Sequence, residues 1–285
     1  MIISLSRLYP LLNVLWFRSA IVLVLLSVVG VALYGPGILR GKHHLFLISR
    51  GVLAFLAFTS YYIALRNVPL ADAAAVYMSA PLFVTILSVP VLGEKVGVHR
   101  WGAVIVGFSA VVLMLNPGSS LFQLDSAIPL FSALCYAMIP IINRKIGQVE
   151  HPLTMTIYTT ATYLVLVSLT SFVAYLIPET EPGSFIASAN FTEWRRFSTQ
   201  SLLLILLAGC VFSIALLCIT QAYRIAIVST VAPFEYSYLL WATLIGYLVF
   251  EDVPDSRMLL GGSIVVLCGC YIVFREKHST KPKPS

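Results

Sequence analysis

Charge is what this sequence has least of. Only 18 Lys and Arg and 12 Asp and Glu occur among 285 residues, 11% where a soluble domain carries roughly 25%. With 59% hydrophobic residues, that scarcity excludes a soluble globule and predicts an integral membrane protein. Cysteine is sparse as well. Cys135, Cys210, Cys218, Cys268 and Cys270 lie in apolar runs as small packing residues, without the spacing of a disulfide framework or a zinc site. The five histidines, His43, His44, His99, His151 and His278, fall at predicted loops or ends. No H-E-x-x-H, no Ser/His pair within a span and no phosphate-cradling loop accompanies them, so an enzyme is not expected and neither is a cofactor. The net charge of +6 reads as membrane topology rather than as affinity for nucleic acid. The opening MIISLSRLYPLLNVLWFRS lacks the order of a cleaved signal peptide, so the first helix is expected to persist.

What the chain does have is apolar runs. About 20 residues cross a hydrocarbon core of about 30 Å. Nine such runs stand between turn signals: Leu11 to Tyr34, Leu45 to Leu65, Leu70 to Leu92, Gly97 to Leu115, Leu124 to Ile142, Leu153 to Ile177, Ser201 to Tyr223, Ile227 to Phe250 and Met258 to Phe274. Short connections predict that consecutive helices lie antiparallel and side by side. The exception is Pro178 to Gln200, which carries Glu193, Arg195, Arg196 and an Asn190-Phe191-Thr192 glycosylation pattern of little weight. With a cytoplasmic C-terminus, twelve Lys and Arg, Arg50 and Arg224 among them, lie inside against six outside, which favours that orientation. The tail from His278 to Ser285 reads as a short basic end resting near anionic lipid.

Two halves echo one another. Tyr9-Pro10-Leu11 matches His151-Pro152-Leu153, an offset of 142, and Glu94 matches Glu251, an offset of 157, the long connection absorbing the difference. Gly102 and Gly107 follow in one half and Gly261, Gly262 and Gly269 in the other, where small residues let helices approach closely. Glu94 lies inside and Glu251 outside in the favoured orientation, so the repeats are inverted. The domains expected are 1–118 and 119–277, with 278–285 as tail. The first repeat has four spans and the second five, which predicts one further helix ahead of Pro10. Either the protein is a genuine nine-helix variant or the sequence begins at an internal start.

The pattern LRNVPLADAAAVYMSAPLFVTILSVPVLGEK with RWGAVIVGFSAVVL, and APFEYSYLLWATLIGYLVFED in the second half, resembles the EamA type of the drug/metabolite transporter superfamily. The resemblance spans nearly the whole chain and implies an all-α membrane protein of two inverted five-helix repeats around a central cavity, with both ends cytoplasmic. It also implies a secondary transporter for a small metabolite, an amino acid or a nucleotide-like, S-adenosylmethionine-like or riboflavin-like compound, in a bacterial inner membrane. Without the first helix, the rival expectation is a truncated, non-transporting membrane protein or interaction partner. A homodimer would complete the cavity in trans.

Site candidates follow from the cost of polarity in lipid. Glu235 sits about 12 Å into its span, at a cost of about 2.5–3.5 kcal/mol unless it faces a cavity or partner. It is a candidate cation or proton site, against a neutralised structural carboxylate as the alternative. Arg18 either pairs with it or snorkels to the outer interface. Tyr62, Tyr77, Tyr238 and Trp241 either stack on a planar or cationic solute or serve packing, whereas Tyr223 and Tyr271 read as interface anchors. Asp72 reads as a capping or solvated residue. Pro81, Pro90, Pro140 and Pro233 either kink their helices as alternating access requires or make static bends.

Overall fold

The computed structural model describes residues 9–65, 67–93, 97–115, 127–176, 197–225, 231, 234–251 and 255–279. Among these the chain is helical, with no strand. The helices are α1 (Leu11–Tyr34), α2 (His44–Ala64), α3 (Leu70–Tyr77), α4 (Ala80–Leu92), α5 (Val98–Leu115), α6 (Ile128–Ile146), α7 (Pro152–Leu176), α8 (Thr199–Ile225), α9 (Ser237–Phe250) and α10 (Ser256–Ser279). Each expected span overlaps one of them within the described residues, the third being divided into α3 and α4. Six described spans are long and apolar enough to cross a membrane, while α9 and the apolar part of α10 are shorter. Arg66, Glu94, Lys95, Pro233, Asp252, most of the long connection with its Asn190 triplet and the end of the basic tail lie outside the described residues.

The division of the third span has a sequence cause. Pro81 has no N–H to return to the preceding turn. One helix therefore closes at Met78, whose N–H reaches the Ala74 carbonyl at 3.0 Å, and the next opens with Pro81 in its first turn. A missing donor costs nothing there. The second repeat does the same at Tyr236, which flanks α9 as Ser79 flanks α4, and 236 − 79 gives the repeat offset of 157. At their far ends α4 stops on Gly93 (φ 68°, ψ 22°) and α9 on Glu251 (φ 58°, ψ 20°), both left-handed. Cap matches cap at an offset of 251 − 93 = 158, because α9 has 14 residues and α4 has 13. The offset of 157 thus holds at the start of the two helices, and the one extra residue of α9 displaces its cap.

The chain forms two compact units. One holds Met1–Arg66 with Ile146–Arg224, and the other Asn67–Lys145 with Ile225–Ser285. Each takes helices from both sequence repeats. In the first, α7 packs along α1 and α2. Val22, Leu26, Leu153 and Ile157 are buried between α1 and α7. Gly51 lets α2 approach α7, since a Cβ there would stand 2.4 Å from Cβ of Thr162.

In the second unit, α5 packs along α10 and α3 along α9. The core holds Val76, Met78, Leu82, Val104, Val111, Met114, Tyr236 and Val265. A Cβ on Gly261 would meet Cγ of Met114 at 2.2 Å, whereas Gly102 faces open space. Helices equivalent by repeat, α1 with α7 and α5 with α10, therefore pack on each other, and α9, the equivalent of α4, packs on α3. Apart from α4 on α5, the most extensive contacts do not join consecutive helices as expected. A short loop ties only the ends of two spans, and complementary faces along the length decide what packs.

A polar clamp closes one end of the first unit. Oε1 of Glu150, a residue only 3% exposed, accepts the backbone N–H groups of Lys42 and His43 at 2.7 Å each and lies 3.2 Å from Nδ1 of His43. Beside it, Nε of Arg224 donates to the Gly147 carbonyl at 2.6 Å. His151 follows. Burial, and after it the charge of Arg224, holds its imidazole below the usual range. Its Nδ1 accepts the Leu153 N–H at 3.3 Å, which also favours the neutral ring.

Two predictions test these details. Glu251→Gly removes left-handed strain of about 1–2 kcal/mol against an entropic penalty of about 0.5–1 kcal/mol for glycine, so thermal unfolding in detergent should show a gain of about 0.5–1 kcal/mol. The depressed His151 means that the unfolded chain takes up the proton first. Stability should fall as pH drops below about 6.5 towards the lower folded value, and His151→Asn should flatten that part of the melting-temperature profile.

Candidate functional site

Each unit carries polar side chains within its apolar helices. In the second unit one polar centre is Glu235, half-buried at the turn ahead of α9. The hydroxyl of Tyr136, on α6, donates to its Oε1 at 2.8 Å. The Tyr136 ring lies 5.6 Å from that of Tyr77, which lies 6.4 Å from that of Tyr238. The structure thus gathers three expected residues, Glu235, Tyr77 and Tyr238, around Tyr136. Trp241, expected at depth, is 61% exposed and stands outside this cluster. Tyr136 was not singled out in the sequence, although a lone phenol in the run LFSALCYAMIP is a usable signal.

In the first unit one polar centre is Arg18 on α1, only 2% exposed. Its Nη1 donates to the hydroxyl of Tyr62 at 3.1 Å, so these two expected residues meet directly. The guanidinium carbon lies 4.4 Å from the Phe212 ring centroid, 5.6 Å from that of Tyr62 and 6.0 Å from that of Tyr163. The expected snorkelling of Arg18 does not occur within this packing. Arg18 and Glu235 belong to separate units, and each has polar and aromatic neighbours in its own.

The sequence reading missed Arg50. Counted there as an orientation-setting cation, it is 1% exposed on α2 and hydrogen-bonded across the unit. Nη1 donates to the Met155 carbonyl and to Oγ1 of Thr159, both at 2.6 Å, and Nη2 to Oγ1 of Thr220 at 2.7 Å. Its position in LISRGVL, more than one turn inside an apolar run, was the available signal. Tyr223, expected as an interface anchor, is likewise buried, at 2% exposure. Asp72 is half-buried in the first turn of α3 without serving as its cap, and an acid there complements the helix dipole.

A small, half-open cavity adjoins Arg18. Thr159, Thr160, Tyr163 and Phe212 are among its other walls. Its depth has room for about one water-sized group. No group of three or more His, Cys, Asp or Glu suited to a metal ion occurs among the described residues. A half-buried carboxylate and a buried guanidinium, each beside aromatic rings, suit the binding of a charged solute.

Comparison with known proteins agrees with that reading. The EamA-like transporter family matches residues 2–116. The S-adenosylmethionine uptake transporter of Rickettsia prowazekii is 30% identical over 268 residues, 94% of this chain and 83% of that protein. The riboflavin transporter of Vibrio cholerae is 32% identical over 215 residues, 75% of this chain and 66% of that one. A pseudopaline exporter of Pseudomonas aeruginosa is 25% identical over 277 residues, 95% of this chain and 89% of that protein. One crystal structure superposes with a TM-score of 0.62 at 15% identity, covering 95% of this chain and 90% of that chain, a likeness of fold. With apolar helices that divide and pack across an internal repeat, and with similarity of this extent to metabolite carriers, the chain belongs to the EamA-like transporter family of the drug/metabolite transporter superfamily, as an integral membrane transporter and not an enzyme.

Proposed function

We propose that the chain is a secondary transporter of a bacterial inner membrane, C-terminus cytoplasmic, that moves a small S-adenosylmethionine-like metabolite by alternating access. The observation that carries this reading is the Glu235 centre. A half-buried carboxylate bonded by Tyr136 at 2.8 Å, with the Tyr77 and Tyr238 rings alongside, suits a sulfonium or ammonium group. The same carboxylate is suited to exchange a proton during the cycle. Breaks at Met78–Ser79 and Tyr236 put a turn within an apolar run of each repeat, as rocking transporters use. The Rickettsia relative named for S-adenosylmethionine uptake, alike over 94% of this chain, favours that compound over riboflavin, whose relative matches 75%.

Reconstituted protein in liposomes tests the reading. Saturable uptake of labelled S-adenosylmethionine is expected, reduced about tenfold or more in Glu235→Gln, because a charge-assisted contact is worth about 1.5–3 kcal/mol. Glu235→Gln uptake equal to that of the unaltered chain at both acid and neutral pH would remove Glu235 from binding and coupling alike.

A further inference from the structure

We infer that Arg18 is the anchor of an anion subsite that binds a carboxylate of the transported metabolite; the inference rests on the transport reading above and narrows its substrate class. The first unit carries two buried guanidinium groups, Arg18 and Arg50, within its apolar helices. Its sequence supplies no carboxylate to match them there. Residues 1–66 contain no Asp or Glu, and the acids of residues 146–224 are Glu150, Glu179, Glu181 and Glu193, none within α7 or α8. Glu150 is already committed to two backbone N–H groups and His43.

The two arginines differ in how they are satisfied. Arg50 donates to a carbonyl and two threonine hydroxyls, a structural arrangement. Arg18 has one hydrogen-bond acceptor, the Tyr62 hydroxyl, where Arg50 has three, while the buried Nε of each is alike in making no hydrogen bond. Ring faces attract a guanidinium through their quadrupoles, whereas taking the ion out of water removes its hydration shell. The aromatic neighbours therefore offset the charge only in part. An anion offsets the rest.

The space beside Arg18 fits that role. The cavity has room for about one water-sized group, which suits the oxygen end of a carboxylate and not a whole metabolite. Thr159 lines the same cavity and is held by Arg50, so the second guanidinium adds positive potential one residue behind the wall. Phe212 and Tyr163 keep the other sides apolar, which strengthens any charge pairing there. A planar guanidinium with unmatched N–H groups prefers a carboxylate, which accepts two of them at once. The substrate class is thus a metabolite that carries a carboxylate.

Equilibrium binding to the reconstituted full chain decides the matter, with S-adenosylmethionine and its decarboxylated counterpart as probes and riboflavin uptake run in parallel. The carboxylate form should bind about tenfold or more tightly than the decarboxylated form. Arg18→Gln should abolish that difference by weakening only the carboxylate form, and Arg18→Lys, which keeps the charge but loses the fork, should retain part of it. Equal affinity of the unaltered chain for the two probes overturns the subsite even if the variants fail to fold, and leaves transport standing. Riboflavin uptake without binding of either probe does the same, whereas no uptake of riboflavin or S-adenosylmethionine defeats the transport reading as well.

Discussion

Hydrocarbon offers no water to a buried polar group, and this constraint shapes the chain from its composition to its binding centres. Wherever a charge or hydroxyl enters the apolar helices, the protein must answer it from within. On α7, Thr156, Thr159 and Thr160 return their hydroxyls to carbonyls one turn back at 2.8–2.9 Å. Arg50 is answered by that same helix and by Thr220 of α8, so one cation ties three helices together. Arg18 is answered only in part, by a phenol and by ring faces, and the incomplete answer distinguishes a site from a strut.

The same economy governs packing. Between lipid-facing helices there is no hydrophobic gain to be had, so close contact depends on small residues that let backbones approach. Gly51 against Thr162 and Gly261 against Met114 are such contacts, and both join helices from opposite repeats. Each compact unit is thereby built from both halves of the sequence, with equivalent helices packed on one another. The turns flanking α4 and α9 recur at the same place in each repeat, but the residues just ahead of them differ. Met78 is a buried core residue, while its counterpart Glu235 engages Tyr136. One inherited backbone break thus serves packing in one half and polar recognition in the other.

The helical architecture was legible because it depends on run length and on proline and glycine, which act locally. The nine apolar runs, the break at Pro81 and the left-handed stop at Gly93 all follow from residues within a turn or two of the effect. Glu235 and Arg18 were legible for a related reason, since a charge in an apolar run is costly whatever surrounds it. Arg50 carried the same signal but lay near enough to a span end to be taken for a loop cation. Tyr136, Tyr163 and Phe212 carried no signal of comparable strength, because an aromatic in a membrane helix serves lipid, core or ligand equally well.

Sequence alone therefore determined the solvent of the protein, the placement of its apolar spans, the internal repeat and the two charges that lipid would not tolerate. Tertiary structure decided which faces meet. It joined α1 to α7 and α5 to α10 instead of to their neighbours along the chain, displaced the cap of α9 by one residue to Glu251, turned Trp241 away from the tyrosine cluster and buried Arg50. The reason is that burial cost is a property of each residue, whereas contact between helices is a property of pairs of surfaces. Those surfaces are complementary only once distant parts of the chain are brought side by side.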